Sequence, residues 1–93
     1  MPRTSRSTPA ELADQWPDVP STDPTVEAAR RFAVNLREAI GDRSIRSVAA
    51  DAGLNHGTLL KALNGTAWVD AKTIASLEAS LAVRLWESAT SDG

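Results

Sequence analysis

The stretch from Ser44 to Gly65, "SIRSVAADAGLNHGTLLKALNG", limits this chain more than any other. It holds two short apolar-periodic runs separated by Gly53-Leu54-Asn55. The first run follows Ser44, a good helix cap, and carries Ile45, Val48, Ala49 and Ala52 on one side. Gly53 stops it, because glycine takes the positive φ of a helix end without penalty. Asn55 caps the second run, over roughly residues 56–63, and Asn64-Gly65 ends it. Helices this short do not persist in water alone. They need to bury their apolar sides against each other and against a further element. Two such helices joined by a glycine turn form a helix-turn-helix. Val48, Leu54, Leu59 and Leu63 are expected to point inward and lock the angle, while small Ala49 lets the helices approach closely.

The flanking sequence supplies further elements. Asp23-Pro24 is a helix start, followed by Val26, Ala29, Ala33, Leu36 and Ile40 at helical spacing, with Phe32 beside them and Gly41 as the stop. Asp70 caps another helix, whose stripe is Ile74, Leu77 and Leu81. Val83, Leu85 and Trp86 should fold back onto the core. No period-two alternation appears. The expected fold class is therefore all-α, a compact bundle of four to five short helices with a central helix-turn-helix. Residues 1–23 are rich in Pro, Ser and Thr and read mostly as an N-terminal tail. Thr8-Pro9-Ala10-Glu11 has the form of a capping box and offers a short helix near 9–16, on which Leu12 and Trp16 would share a face; the alternative, which the tail composition favours, is a frayed turn in a disordered arm. The domain is expected over 24–88 and a C-terminal tail over 89–93.

Composition excludes several functions. The chain has 93 residues, one histidine and no cysteine, so no disulfide framework, metal site or cofactor is expected. No run is long and apolar enough for a membrane span or a signal peptide, which points to the cytoplasm. No nucleophile and base stand in a pattern that suggests catalysis, so the chain is not expected to be an enzyme. The formal charge is −2. Residues 25–72 nonetheless carry seven Lys and Arg against five Asp and Glu, while both flanks are acidic. Only this middle region would favour an anionic polymer.

On these residues, "SIRSVAADAGLNHGTLLKALNGTAWVDAKTIASLEASLAVRLW" resembles the Cro and lambda-repressor type of helix-turn-helix regulator, the Xre family. The resemblance covers about residues 25–88. Ser44 matches the family's cap, Val48-Ala49 its Leu-Ala, Gly53-Leu54 its Gly-Val, Asn55 its turn Ser, Leu59 its buried Ile or Val, and Asn64-Gly65 its Asn-Gly stop. The ending is similar to small phage and actinobacterial members. Ile45 and His56 stand where the family commonly has Gln, and Gln or Arg. The resemblance implies a lambda-repressor-like fold and a repressor-like transcription regulator that binds double-stranded DNA.

In that setting the helix after Asn55 enters the major groove, and its first residues meet base edges. His56, Gly57, Leu60 and Lys61 are the expected base-reading residues. The His56 imidazole can bond guanine N7 or O6, or an exocyclic amine. Gly57 would allow close approach, Leu60 would meet a thymine methyl, and Lys61 would reach guanine or a phosphate. Arg43, Ser44, Arg46, Lys72 and Thr73 are expected phosphate contacts around helix N-termini that favour anions, and the resemblance implies that Asn64, just past the second helix of the pair, touches the opposite strand's backbone. Arg3 and Arg6 could follow a minor groove as a basic arm, but the acidic residues after them argue against a strong one. A homodimer through Val83, Leu85 and Trp86 would read two half-sites. Trp68 is expected in the core or a dimer contact. Trp16 in the tail is expected to mark a partner surface. The competing reading is a protein-interaction module on the same fold, an antitoxin-like or anti-repressor partner, suggested by the acidic balance, Ile45 and Trp16.

Overall fold

The computed structural model describes residues 7–13 and 15–86. Arg3, Arg6 and the tail 89–93 lie outside the described residues. The chain forms α1 (Pro9–Leu12), α2 (Pro24–Ile40), α3 (Ile45–Ala52), α4 (His56–Asn64) and α5 (Ala71–Leu81), with no strand among the described residues. The all-α expectation holds. Thr8, Asp23, Ser44, Asn55 and Asp70 each cap the helix that follows with a side-chain oxygen. These caps satisfy amides that a helix start leaves without partners.

The core lies where α2, α3 and α4 meet. Phe32, Leu36, Val48, Leu59 and Leu77 are fully buried, and Ile40, Ala49, Ala62 and Leu63 nearly so. Ile45, Ala52, Leu54, Ile74 and Leu81 pack around them half-buried. Each large side chain withdrawn from water contributes about 1.5–3 kcal/mol. No helix among the described residues is long and apolar enough to cross a membrane.

The N-terminal segment packs more closely than the sequence expectation, whereas Leu85 and Trp86 fold back onto the core as expected and Val83 does not. The expected 9–16 helix stops at Leu12, so Leu12 and Trp16 do not share a helical face. Leu12 is exposed, while Trp16 is half-buried and turned toward the end of α4. Its indole N–H donates to the Leu63 carbonyl at 3.0 Å. The amide of Ala10 donates to the Gly65 carbonyl at 2.9 Å. Gly65 has φ +69°, and a β-carbon there would sit 2.5 Å from the Trp16 ring. Trp16 is therefore an internal contact, because the glycine provides a flat seat and the helix end provides a free carbonyl.

Buried Glu27 anchors the other end of this segment. Its carboxylate accepts from the Ser21 amide at 2.8 Å, from Arg30 at 2.7 and 2.8 Å, and from Arg31 at 3.0 Å. Arg30 also donates to the Pro17 carbonyl at 3.1 Å. Hydrogen bonds from Arg30, with those from Ser21 and Arg31, hold the Glu27 carboxyl down at about 2 against the pull of burial.

At the C-terminal end, α5 closes on Ala82 in the left-handed region at φ 58°. Leu85 is buried and held on both backbone groups. Its amide donates to Glu78 at 2.7 Å, and its carbonyl accepts from Asn35 at 2.9 Å. The Trp86 ring packs on Phe32 with centroids 5.9 Å apart. Leu85, expected in a self-association surface, is thus taken up by the monomer's own core, while Val83 remains 43% exposed.

Two outcomes are expected. Gly53 and Gly65 share the left-handed conformation, but a β-carbon at Gly53 meets nothing within 4 Å. Gly53→Ala should therefore cost about 1 kcal/mol in urea unfolding, and Gly65→Ala roughly 2–3 kcal/mol, since it adds a clash with Trp16. The second concerns acid. Glu27 titrates at about 2 in the fold against an ordinary 4.5. The folded value is the lower one, so its contribution is complete above that ordinary value and is lost as pH falls through the folded one. Glu27→Gln should flatten this acid limb in a pH series of unfolding curves and lower neutral-pH stability by roughly 2–3 kcal/mol.

Candidate nucleic-acid interface

The turn Gly53–Asn55 joins α3 to α4, and the two helices pack on each other. Gly53 has φ 71°, and its amide donates back to α3 carbonyls. The Leu54 amide bonds Ala49 O at 2.8 Å. Asn55 Oδ1 accepts from the Gly57 amide at 2.7 Å and opens α4. Leu59, Ala62 and Leu63 then face the core. A helical period leaves residues three and four apart on the opposite side.

That outer side is polar. Thr58, Lys61 and Asn64 are exposed, and His56 and Gly57 are half-buried. Leu60, expected to be exposed, is also half-buried. Gly57 has a local reason to lack a side chain, since a β-carbon would lie 3.2 Å from the Asn55 cap oxygen. Thr58 was not singled out from the sequence. Its i,i+3 relation to Lys61 was the signal that placed it on this side.

The expected phosphate contacts divide into two groups. Arg46 is exposed, at the start of α3, and Lys72 is exposed, at the start of α5. Neither they nor Lys61 lie in an ion pair among the described residues. Arg43 instead pairs with Asp51 and approaches Ser47 Oγ at 3.4 Å, so its charge is offset within the molecule. Ser44 Oγ accepts from the Ser47 amide at 3.0 Å. Thr73 is buried, which takes its side chain away from the surface expected for a phosphate contact. Hydrogen bonds from its hydroxyl and amide hold the Asp70 carboxyl below its ordinary range.

The fold brings several of these positions together. Thr58 and Lys61 of α4 border one hollow with Trp68, Asp70 and Thr73, of about 190 Å³. That is below the ~300 Å³ at which small-molecule pockets usually begin. Asn64 and Arg43 border a second hollow with Arg37, an exposed cation that the sequence reading left unassigned. The Trp68 indole N–H donates to the Ser7 carbonyl at 2.8 Å, so this half-buried tryptophan ties the loop to the N-terminal segment. No group of three His, Cys, Asp or Glu side chains gathers to hold a metal among the described residues. Compared with protein-family models and with curated proteins, the chain matches none.

The cap and the outward side should separate in a stability assay. Asn55→Ala removes the bond to the Gly57 amide and should cost about 1 kcal/mol. His56→Ala and Lys61→Ala should each stay within about 0.5 kcal/mol of the parent, as surface changes do. Urea midpoints for the three variants provide the check.

Proposed function

We propose that the chain is a sequence-specific, double-stranded DNA-binding regulator of transcription, repressor-like, similar to the Cro and lambda-repressor type. One observation carries the reading. The short helix α4 is fixed on one side by Leu59, Ala62 and Leu63, and presents Thr58, Lys61 and Asn64 on the other, with half-buried His56 at its first position. A rigid polar helix of this size fits the major groove. His56 and Lys61 would bond base edges, Thr58 would join them, and Leu60 would offer an apolar edge to a thymine methyl. Arg46, Lys72 and Asn64 would hold phosphates and fix the register.

Self-association would bring two such helices to neighbouring half-sites. With Leu85 buried, that surface reduces to exposed Val83 and half-buried Trp86 and Ile74. The competing interaction-module reading is favoured by the Arg43–Asp51 pair, which puts a carboxylate on the outer side of α3. It is weakened by Trp16, which is turned inward to Leu63.

Selection from a randomised duplex library tests the proposal. A recurrent motif should be enriched, and its affinity should fall with salt at a slope of roughly −0.9 per phosphate held. Lys72→Ala should reduce that slope by about 1 and weaken all duplexes alike. His56→Ala should lose about 1–3 kcal/mol on the selected motif and relax the preference at its contacted base. Failure to enrich any motif would sink the DNA reading, and the Asp51 side of α3 would then be probed for a protein partner.

A further inference from the structure

The N-terminal segment bonds the one helix on which the proposed function depends. The last carbonyls of a helix have no partner within it. In α4, Lys61 O receives the amides of Gly65 and Thr66. Leu63 O receives its side-chain donor from Trp16, at 3.0 Å. Gly65 O, just beyond the helix, receives the amide of Ala10 at 2.9 Å. The Trp16 ring lies directly over Gly65, where a β-carbon would stand 2.5 Å from it. The segment is tied down elsewhere by Trp68 on the Ser7 carbonyl, by Arg30 on the Pro17 carbonyl, and by Glu27 on the Ser21 amide.

These ties are mostly polar. The main hydrophobic cluster contains residues of α2, α3, α4 and α5 together with Leu85, and none from the N-terminal segment. Leu12 is exposed and Trp16 half-buried, with Pro9 the fully buried side chain among them. Elements held by few buried apolar contacts open at lower free energy than the core they rest on.

We propose that residues 7–13 and 15–21 form a releasable strap that fixes the last turn of α4, and that the face bearing Lys61 and Asn64 is set only while the strap is docked. The functional consequence rests on the DNA reading above, whereas the strap itself rests on the contacts just described. Trp16 is then a positioning residue for α4. The strap and the core of α2 to α5 form a two-state element, and anything that binds the open strap would shift α4 with it.

The left-handed glycines provide the control. Gly65→Ala drives a β-carbon into the fused part of the Trp16 ring, while Gly53→Ala imposes the same positive-φ strain with nothing within 4 Å. Trp16→Phe keeps an aromatic ring but deletes the bond to Leu63 O. Amide hydrogen exchange is read on the full chain by NMR, with affinity for the selected duplex measured by anisotropy. Gly65→Ala and Trp16→Phe should speed exchange across the last turn of α4 by roughly five- to tenfold, the factor of one ordinary hydrogen bond. The amides of Phe32 and Leu36, which open with the whole fold, should follow the urea stability of each variant, duplex affinity should fall roughly five- to tenfold, and Gly53→Ala should leave the last turn of α4 protected against this local opening.

Exchange at the end of α4 that tracks Phe32 and Leu36 in every variant, Gly53→Ala included, would overturn the proposal, since the strap would then be inseparable from the fold. No acceleration at the end of α4 would overturn it too. A loosened α4 with unchanged duplex affinity would overturn the link to the DNA face. A parent chain that binds no duplex would refute the DNA reading instead, and the exchange pattern would still decide the strap.

Discussion

Burial of one side of α4 is the constraint on which the rest depends. Nine residues do not hold a helix in water. Leu59, Ala62 and Leu63 make α4 helical by packing against α2 and α3, with Leu36 and Val48 fully buried beside them. The same packing decides what faces outward. Once those three positions are inside, the helical period places Thr58, Lys61 and Asn64 in solvent. The stability of the helix and the identity of its exposed residues are thus two results of one contact.

Electrostatics refine that picture. The middle of the chain carries an excess of cations, but the fold does not leave them equally free. Glu27 gathers Arg30 and Arg31, and Asp51 offsets Arg43. Buried charge must be paired, so Glu27 takes the arginines within helical reach. Arg37, Arg46, Lys61 and Lys72 remain as exposed cations without an ion pair among the described residues. An anionic partner would meet these, and Arg46 and Lys72 sit at the starts of α3 and α5, where helix dipoles add to their charge.

The two ends of the chain complete the domain in similar ways. Each brings a tryptophan and a few backbone groups onto a site prepared by a distant residue. Trp16 uses Gly65 and the Leu63 carbonyl. Trp86 packs on Phe32 while Glu78 and Asn35 hold neighbouring Leu85. Bonds from the Trp86 and Leu85 amides keep the Glu78 carboxyl below its ordinary range, so that carboxylate remains an acceptor throughout the neutral range. A 93-residue chain has little core to share, and these end contacts extend it.

The sequence by itself determined the helices from Pro24 onward, because their signals are local. Asp23, Ser44, Asn55 and Asp70 cap, Gly41, Gly53 and Gly65 stop, and the period of apolar residues between them assigns the buried stripes. The outward placement of Lys61 and Asn64 followed from that period. The tertiary structure alone decided the rest. It paired Arg43 with Asp51, buried Thr73, half-buried Leu60, brought Arg37 beside Asn64, and seated Trp16 on Gly65. Trp16 and Leu63 are 47 positions apart. No cap, stop or period connects residues at such separation, so only the packing of the whole chain brings them together.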